Sequence, residues 1–209
     1  MSATLTVKAA QPGDGEQPAA GDTVGVEQGV MITLAIPANV AAELAVPDGL
    51  SADTLHVTLV YLGKDIARET VEAATEAARQ VAAEQPPLAG VVGGIGAFPE
   101  GDEGVPMFVT VDVPVLEALR QRLVDALDAA GVPYAANYGY TPHVTLKYVE
   151  AGEPMPETVA EVAFDGLIVA ADDEPTTIPF GGAAEVEVKD AGHEACQEVW
   201  RSSGFASTL

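Results

Sequence analysis

Leu55-His56-Val57-Thr58-Leu59-Val60-Tyr61-Leu62 and Pro142-His143-Val144-Thr145-Leu146-Lys147-Tyr148-Val149 carry the same tetrad, His-Val-Thr-Leu. Two of the chain's three histidines open these tetrads. Both runs alternate in character, the pattern of a β-strand with one face on a core. Side chains two apart on a strand share a face. His56 is therefore predicted to project with Thr58, and His143 with Thr145 and Lys147. The same alternation sends Val57, Leu59 and Tyr61, and Val144, Leu146 and Tyr148, to the core side. If the two strands lie close together, two imidazoles and two hydroxyls converge on one small volume.

Composition bounds what such a volume would hold. With 209 residues, 48% of them hydrophobic, the chain can bury a sizeable core as one domain or two fused lobes. Nine Lys and Arg against 32 Asp and Glu give a net charge of −23. A field of that sign repels polyanions, which argues against duplex nucleic acid as a partner. It does not exclude a small phosphorylated ligand in a locally positive pocket, because screening confines the repulsion to about 8 Å at physiological salt. Every apolar run is broken by Gly, Pro or charge before it is long enough to span a bilayer, and no basic segment precedes an apolar one at the N-terminus. No membrane partner is expected. A single cysteine, Cys196, fits a reducing cytoplasm and leaves too few soft ligands for a structural zinc site.

The elements fall in an order that repeats. Residues 1–29, rich in Gly, Ala, Pro and acid, read as a flexible leader in which Thr4 to Val7 is the one strand-like stretch. Met31 to Ile36 is an apolar strand ended by Pro37. Ala38 to Ala45 is a short helix, Pro47-Asp48-Gly49 a turn, and the first tetrad strand closes at Gly63. Asp65 to Glu84 is helical, with Val71, Ala74, Ala78 and Val81 on its apolar face. Leu88 to Phe98 and Val105 to Val113 form a hairpin. Pro114 to Ala130 is a helix striped by Leu116, Leu119, Leu123 and Leu127 and ended by Gly131. A loop with Tyr134 and Tyr138 leads to the second tetrad. Val159 to Ala170 and Thr176 to Phe180 read as two closing strands. Gly93, Gly94 and Gly96 lack a strand–GxGxxG–helix setting and read as strand irregularity. The tail 183–209 shows no secure element beyond a possible helix from Glu194 to Arg201, and His193, Glu194 and Cys196 make no complete metal set. The fold class is α+β, with largely antiparallel sheets, flanking helices and an order that reads as a loose internal duplication.

A lone His-x-Thr in a strand is ordinarily structural; two copies in two strands point to chemistry. Histidine gives or takes a proton near neutrality, with an unperturbed pKa of about 6.5. Two of them flanking a phosphorus act as base and acid in one displacement. Threonine hydroxyls on the same face donate to the oxygens on which negative charge accumulates. Leu55-His56-Val57-Thr58-Leu59-Val60-Tyr61-Leu62-Gly63 and Tyr140-Thr141-Pro142-His143-Val144-Thr145-Leu146-Lys147 resemble the paired signatures of the two-histidine phosphoesterases, the superfamily of 2′-5′ RNA ligase-like proteins and cyclic nucleotide phosphodiesterases. The separation of 87 residues (143 minus 56) suits that family, and the resemblance covers about Val30 to Phe180.

The resemblance implies a bilobal fold of two sheets, its lobes related by a pseudo-twofold axis and each giving one His-x-Thr strand to a central cleft. It also implies hydrolysis or transesterification of 2′,3′-cyclic or 2′-5′-linked phosphates, with no metal and no cofactor. His56 and His143 would then be the acid–base pair and Thr58 and Thr145 the phosphate donors; which histidine is base stays open. Lys147 is a candidate phosphate contact, with a solvated strand-end lysine as the competing role, and Tyr140 and Tyr138 are candidate stacking partners for a base, with packing near a strand start as theirs. The expected partner is a small nucleotide or a short RNA end. A signal-degrading enzyme and a non-catalytic nucleotide-binding module, with leader and tail docking another protein, are the alternatives.

Overall fold

A computed structural model describes residues 23–24, 29–101, 104–136, 139–149, 158–171 and 175–182. In chain order the elements are β1 (Thr23–Val24), β2 (Val30–Ala35), α1 (Ala38–Leu44), a 3-10 turn (Ala52–Thr54), β3 (His56–Gly63), β4 (Ile66–Ala67) and α2 (Arg68–Ala83). There follow β5 (Leu88–Ala97), β6 (Val105–Asp112), α3 (Leu116–Ala129), β7 (His143–Val149), β8 (Ala160–Phe164), β9 (Gly166–Ala170) and β10 (Thr176–Pro179). The Thr4–Val7 stretch, Tyr138 and the tail with His193, Cys196 and the Glu194–Arg201 helix lie outside the described residues.

Two antiparallel four-stranded sheets, β10-β9-β2-β3 and β8-β5-β6-β7, carry the architecture. Each has a strand–helix–strand unit at its heart, β2–α1–β3 in one and β6–α3–β7 in the other, so the halves repeat as the sequence predicts. The tetrad strands β3 and β7 are the edge strand of their respective sheets, and the two edges lie against each other. Abutting the edges covers rows of backbone groups that would otherwise invite pairing with another chain. In β1, Thr23–Val24 pairs antiparallel with Ile66–Ala67, so part of the stretch read as leader is tied to β4.

The core follows the predicted stripes. Leu116, Leu119, Leu123 and Leu127 of α3 are fully buried, as are Val57 of β3 and Val144 of β7, and one apolar cluster runs through both halves. In α2 the buried face is mostly alanine (Ala74, Ala77, Ala78, Ala82), which lets the helix approach β9, β10 and α3 closely. Helix α3 ends in a Schellman motif: the Val132 N–H donates to the Leu127 carbonyl at 2.9 Å and the Gly131 N–H to that of Asp128 at 3.1 Å, with Gly131 at φ +69°.

One predicted strand is two. The run Val159 to Ala170 breaks at Asp165, β8 joining β5 in one sheet and β9 joining β2 in the other. Continuous hydrophobic alternation hides the break, because both pieces bury one face. Gly166 marks it: a Cβ there would sit 2.6 Å from the Ile178 carbonyl oxygen.

Alternation also fails inside both tetrad strands. The ladder pairs Ile32 with Val60 and Thr33 with Thr58, leaving Leu59 as the extra residue of a β-bulge; a second shift skips Leu62. In the other half Met107 pairs with Lys147 and Phe108 with Thr145, leaving Leu146 as the extra residue. A bulge resets the phase of every residue beyond it. Tyr61 and Tyr148, predicted to face the core, therefore come into phase with Thr58 and Thr145, and Tyr148 is 40% exposed. Lys147, predicted beside His143, instead pairs with Met107, out of phase with the histidine face.

Candidate active site

Each histidine is held by the backbone two residues before it. His56 Nδ1 lies 2.8 Å from the Thr54 carbonyl oxygen, and His143 Nδ1 lies 2.6 Å from that of Thr141. A carbonyl oxygen only accepts, so in each ring Nδ1 carries the hydrogen and donates. Nε2 is left outside that contact: a lone pair when the ring is neutral, an N–H donor when it is charged. The two rings thus share one tautomer when neutral.

The carbonyls are themselves fixed. Thr54 ends a turn in which its own N–H and hydroxyl both donate to the Ser51 carbonyl, at 2.9 and 2.8 Å, while the Ser51 hydroxyl donates to the Asp53 carboxylate. The residue before each histidine is clamped by the neighbouring strand: Ile36 N–H donates to Leu55 O at 3.2 Å, and Val111 N–H to Pro142 O at 3.0 Å. Thr-x-His-x-Thr-Leu, from Thr54 and from Thr141, is thus the full length of the repeat. The threonine two before each histidine was visible in the sequence as an extension of the tetrads.

Both histidines and both motif threonines are half-buried. The His143 ring is packed by Phe98 edge-on at 4.7 Å and by Phe108 at 5.1 Å between centroids. Phe108 fits because Gly96 lies beneath it; a Cβ at Gly96 would run into the Phe108 ring. Burial of the ring pushes the His143 pKa below the ordinary histidine value. The Thr141 carbonyl pulls the other way, and the charge of His56 adds to the depression. The two imidazoles therefore sense each other electrostatically across the junction of β3 and β7.

A cavity of about 470 Å³ opens beside the pair, lined by Thr58 and Tyr61 from β3, Phe98 after β5, Arg120 from α3, and Tyr140, Thr141 and His143 leading into β7. It brings together Thr58, Tyr140 and His143 of the predicted site; His56 and Thr145 lie outside its wall. Thr58 is also placed by its hydroxyl, which reaches Met31 Sδ at 3.8 Å. Arg120 is the residue that sequence reasoning missed. Its Nε donates to the Leu59 carbonyl at 3.0 Å, and its guanidinium carbon sits 4.7 Å from the centre of the Tyr140 ring. Only the fold joins α3 to the bulge in β3, so no local pattern marks this arginine. No group of three or more His, Cys, Asp or Glu among the described residues is arranged to hold a metal ion.

The sequence profile of the 2′-5′ RNA ligase superfamily matches residues 38–181. The chain belongs to that superfamily. The match starts after the apolar strand that the resemblance had included, although β2 completes the first sheet. Among solved structures, TT0787 of Thermus thermophilus is similar at 19% identity and a TM-score of 0.59, over 74% of this chain and 98% of that one. LigT of E. coli, solved with 3′-AMP, is similar at 19% identity and a TM-score of 0.52, over 72% of this chain and 94% of that one. A protein described as a phosphoesterase gives 18% identity and a TM-score of 0.54, over 76% and 95%. At these identities the likeness is one of fold. No curated protein matches the sequence. Among the described residues no helix is long and apolar enough to cross a membrane.

Proposed function

We propose that this member of the 2′-5′ RNA ligase superfamily is a phosphodiesterase that opens a 2′,3′-cyclic phosphate or cleaves a 2′-5′ linkage in a small nucleotide. The observation that carries the reading is the matched orientation of His56 and His143, each donating from Nδ1 to a carbonyl two residues back and each leaving Nε2 free. In hydrolysis the neutral histidine takes a proton from water at Nε2 as the water oxygen attacks phosphorus. The bond from phosphorus to the leaving ribose oxygen breaks, and the charged histidine gives that oxygen its Nε2 proton. The two rings exchange protonation states and return through solvent. Thr58 and Thr145 donate to the non-bridging oxygens, where the negative charge is greatest. No step of this scheme calls for a metal.

Burial favours the neutral form of His143, which suits it to the part of base. The bulge takes Lys147 out of phase with the histidines, so strand alternation no longer argues for it as a phosphate contact. The E. coli LigT structures solved with 3′-AMP and with ATP place nucleotides on this fold and support a nucleotide as substrate. The net charge of −23 favours a short substrate over duplex nucleic acid.

The test is a substrate panel in EDTA: nucleoside 2′,3′-cyclic phosphates, 2′-5′-linked dinucleotides and cyclic dinucleotides, followed by phosphorus NMR or chromatography. Turnover lost in both His56→Asn and His143→Asn supports the reading. Turnover retained in both variants, or tight binding with no turnover in the wild type, rejects it, the latter in favour of a nucleotide-binding module.

A further inference from the structure

The cavity wall holds a cation that the histidine chemistry leaves unused. Arg120 commits its Nε to the Leu59 carbonyl and one face of its guanidinium to the Tyr140 ring. Its remaining N–H donors, on the two Nη nitrogens, meet no acceptor among the described residues. Capping the bulge does not explain the charge. At the equivalent place in the other half, the Leu146 carbonyl is capped at 2.7 Å by the backbone N–H of Leu50. The same fold thus meets the same need with a neutral donor.

The neighbour of Arg120 points the same way. The Tyr140 hydroxyl is buried and lacks a hydrogen-bond partner among the described residues. Burial pushes its pKa up to about 12, with Arg120 pulling it down and the charge of Glu117 raising it, so it stays protonated and able to donate. Arg120 and Tyr140 thus line one wall of the cavity, the guanidinium with unused N–H donors and the tyrosine with a buried hydroxyl that meets no acceptor among the described residues, a donor set that suits an anionic oxygen cluster. The cation acts on this tyrosine end of the cavity, whereas the charge acting on His143 is that of His56. At about 470 Å³ the cavity exceeds what a single phosphate needs and is of the size that takes a whole small ligand.

We propose that Arg120 and Tyr140 form a second anion subsite, which takes a phosphate of the substrate other than the one being cleaved. The substrate class is then a nucleotide with a further phosphate, such as a 5′-phosphorylated nucleoside 2′,3′-cyclic phosphate or a dinucleotide. This deepens the reading of the cleft as a nucleotide site, and binding to a protein with reduced turnover tests it separately from catalysis.

The experiment is calorimetry on the full chain carrying His56→Asn, with adenosine 2′,3′-cyclic phosphate and its 5′-phosphorylated form as the two probes. The 5′-phosphate should tighten binding by about tenfold or more, in line with a charge-assisted contact. Arg120→Gln should bring the ratio of the two dissociation constants close to one, and Tyr140→Phe should lower it part of the way. Because Arg120→Gln also disturbs Leu59, both affinities fall together from that cause, and only the ratio reads the subsite. Equal affinity for the two probes, or a preference that survives Arg120→Gln, overturns the proposal. A preference that depends on Arg120 in a wild type without turnover leaves the subsite standing and removes the phosphodiesterase reading. Turnover without the preference does the reverse.

Discussion

Leu59 and Leu146 occupy the same place in the two halves, each the extra residue of a β-bulge and each with its carbonyl capped from the other half of the molecule. Arg120 of the β6–α3–β7 unit caps Leu59, and Leu50 of the β2–α1–β3 connection caps Leu146. A bulged residue has lost its ladder partner, so its carbonyl needs another donor or stands unsatisfied. The reciprocal caps tie the two tetrad edges together at the point where they meet. Arg120→Ala removes one cap and leaves a part-buried carbonyl open, a loss of about 1–3 kcal/mol. Chemical denaturation of the variant against wild type should read it, and an unchanged midpoint would show that solvent replaces the guanidinium without loss.

Replacing the histidines with asparagine separates orientation from chemistry. An asparagine amide can donate to Thr54 or Thr141 as Nδ1 does, but it has no counterpart of Nε2. His56→Asn and His143→Asn should keep the thermal midpoint within a few degrees while the rate falls by about 10²–10⁴-fold, the range for a lost acid or base. Rate assays beside melting curves decide this. A variant that melts early and loses activity in step would indicate a structural role instead.

His143 should titrate below the ordinary histidine range, because burial disfavours its charged form and the charge of His56 adds to that. In the folded state it then binds protons less readily than in the unfolded chain. Its contribution to stability is intact above the ordinary histidine value and is lost as pH falls below it. NMR titration of the imidazole carbon resonances checks the first point, and His56→Asn should move the His143 midpoint upward by removing the like charge. A His143 midpoint at or above the ordinary value would contradict the packing described around its ring.

The tetrads, the helix stripes and the repeat of strand–helix–strand were legible because each rests on a local period that the structure keeps. Leu116, Leu119, Leu123 and Leu127 fall on the core as spaced. What the period could not show is where it is interrupted. Leu59 and Leu146 look like ordinary strand leucines, yet each shifts the phase, so Tyr61 reaches the cavity wall and Lys147 leaves the histidine face. Gly94 is the contrast: at φ +74° it is the residue skipped between Gly93 and Ile95, and a glycine in a strand announces such a break. Arg120 was invisible for another reason, since its partner Leu59 is 61 residues away and only the abutting of the two halves joins them.

Two glycine substitutions set packing at the site apart from strain elsewhere. A Cβ at Gly131 has nothing within 4 Å, so Gly131→Ala meets only the backbone cost of its positive φ. That is about 1–2 kcal/mol, with no path to the histidines. A Cβ at Gly96 would instead strike the Phe108 ring, which packs on His143. Overpacking of this kind costs about 1–3 kcal/mol and displaces the ring that is struck. The two variants should thus lose similar stability while only Gly96→Ala lowers kcat. Measured at a temperature where both are fully folded, equal kcat in the two variants would mean that Phe108 moves without carrying His143 along, and that the aromatic packing does not set the position of the imidazole.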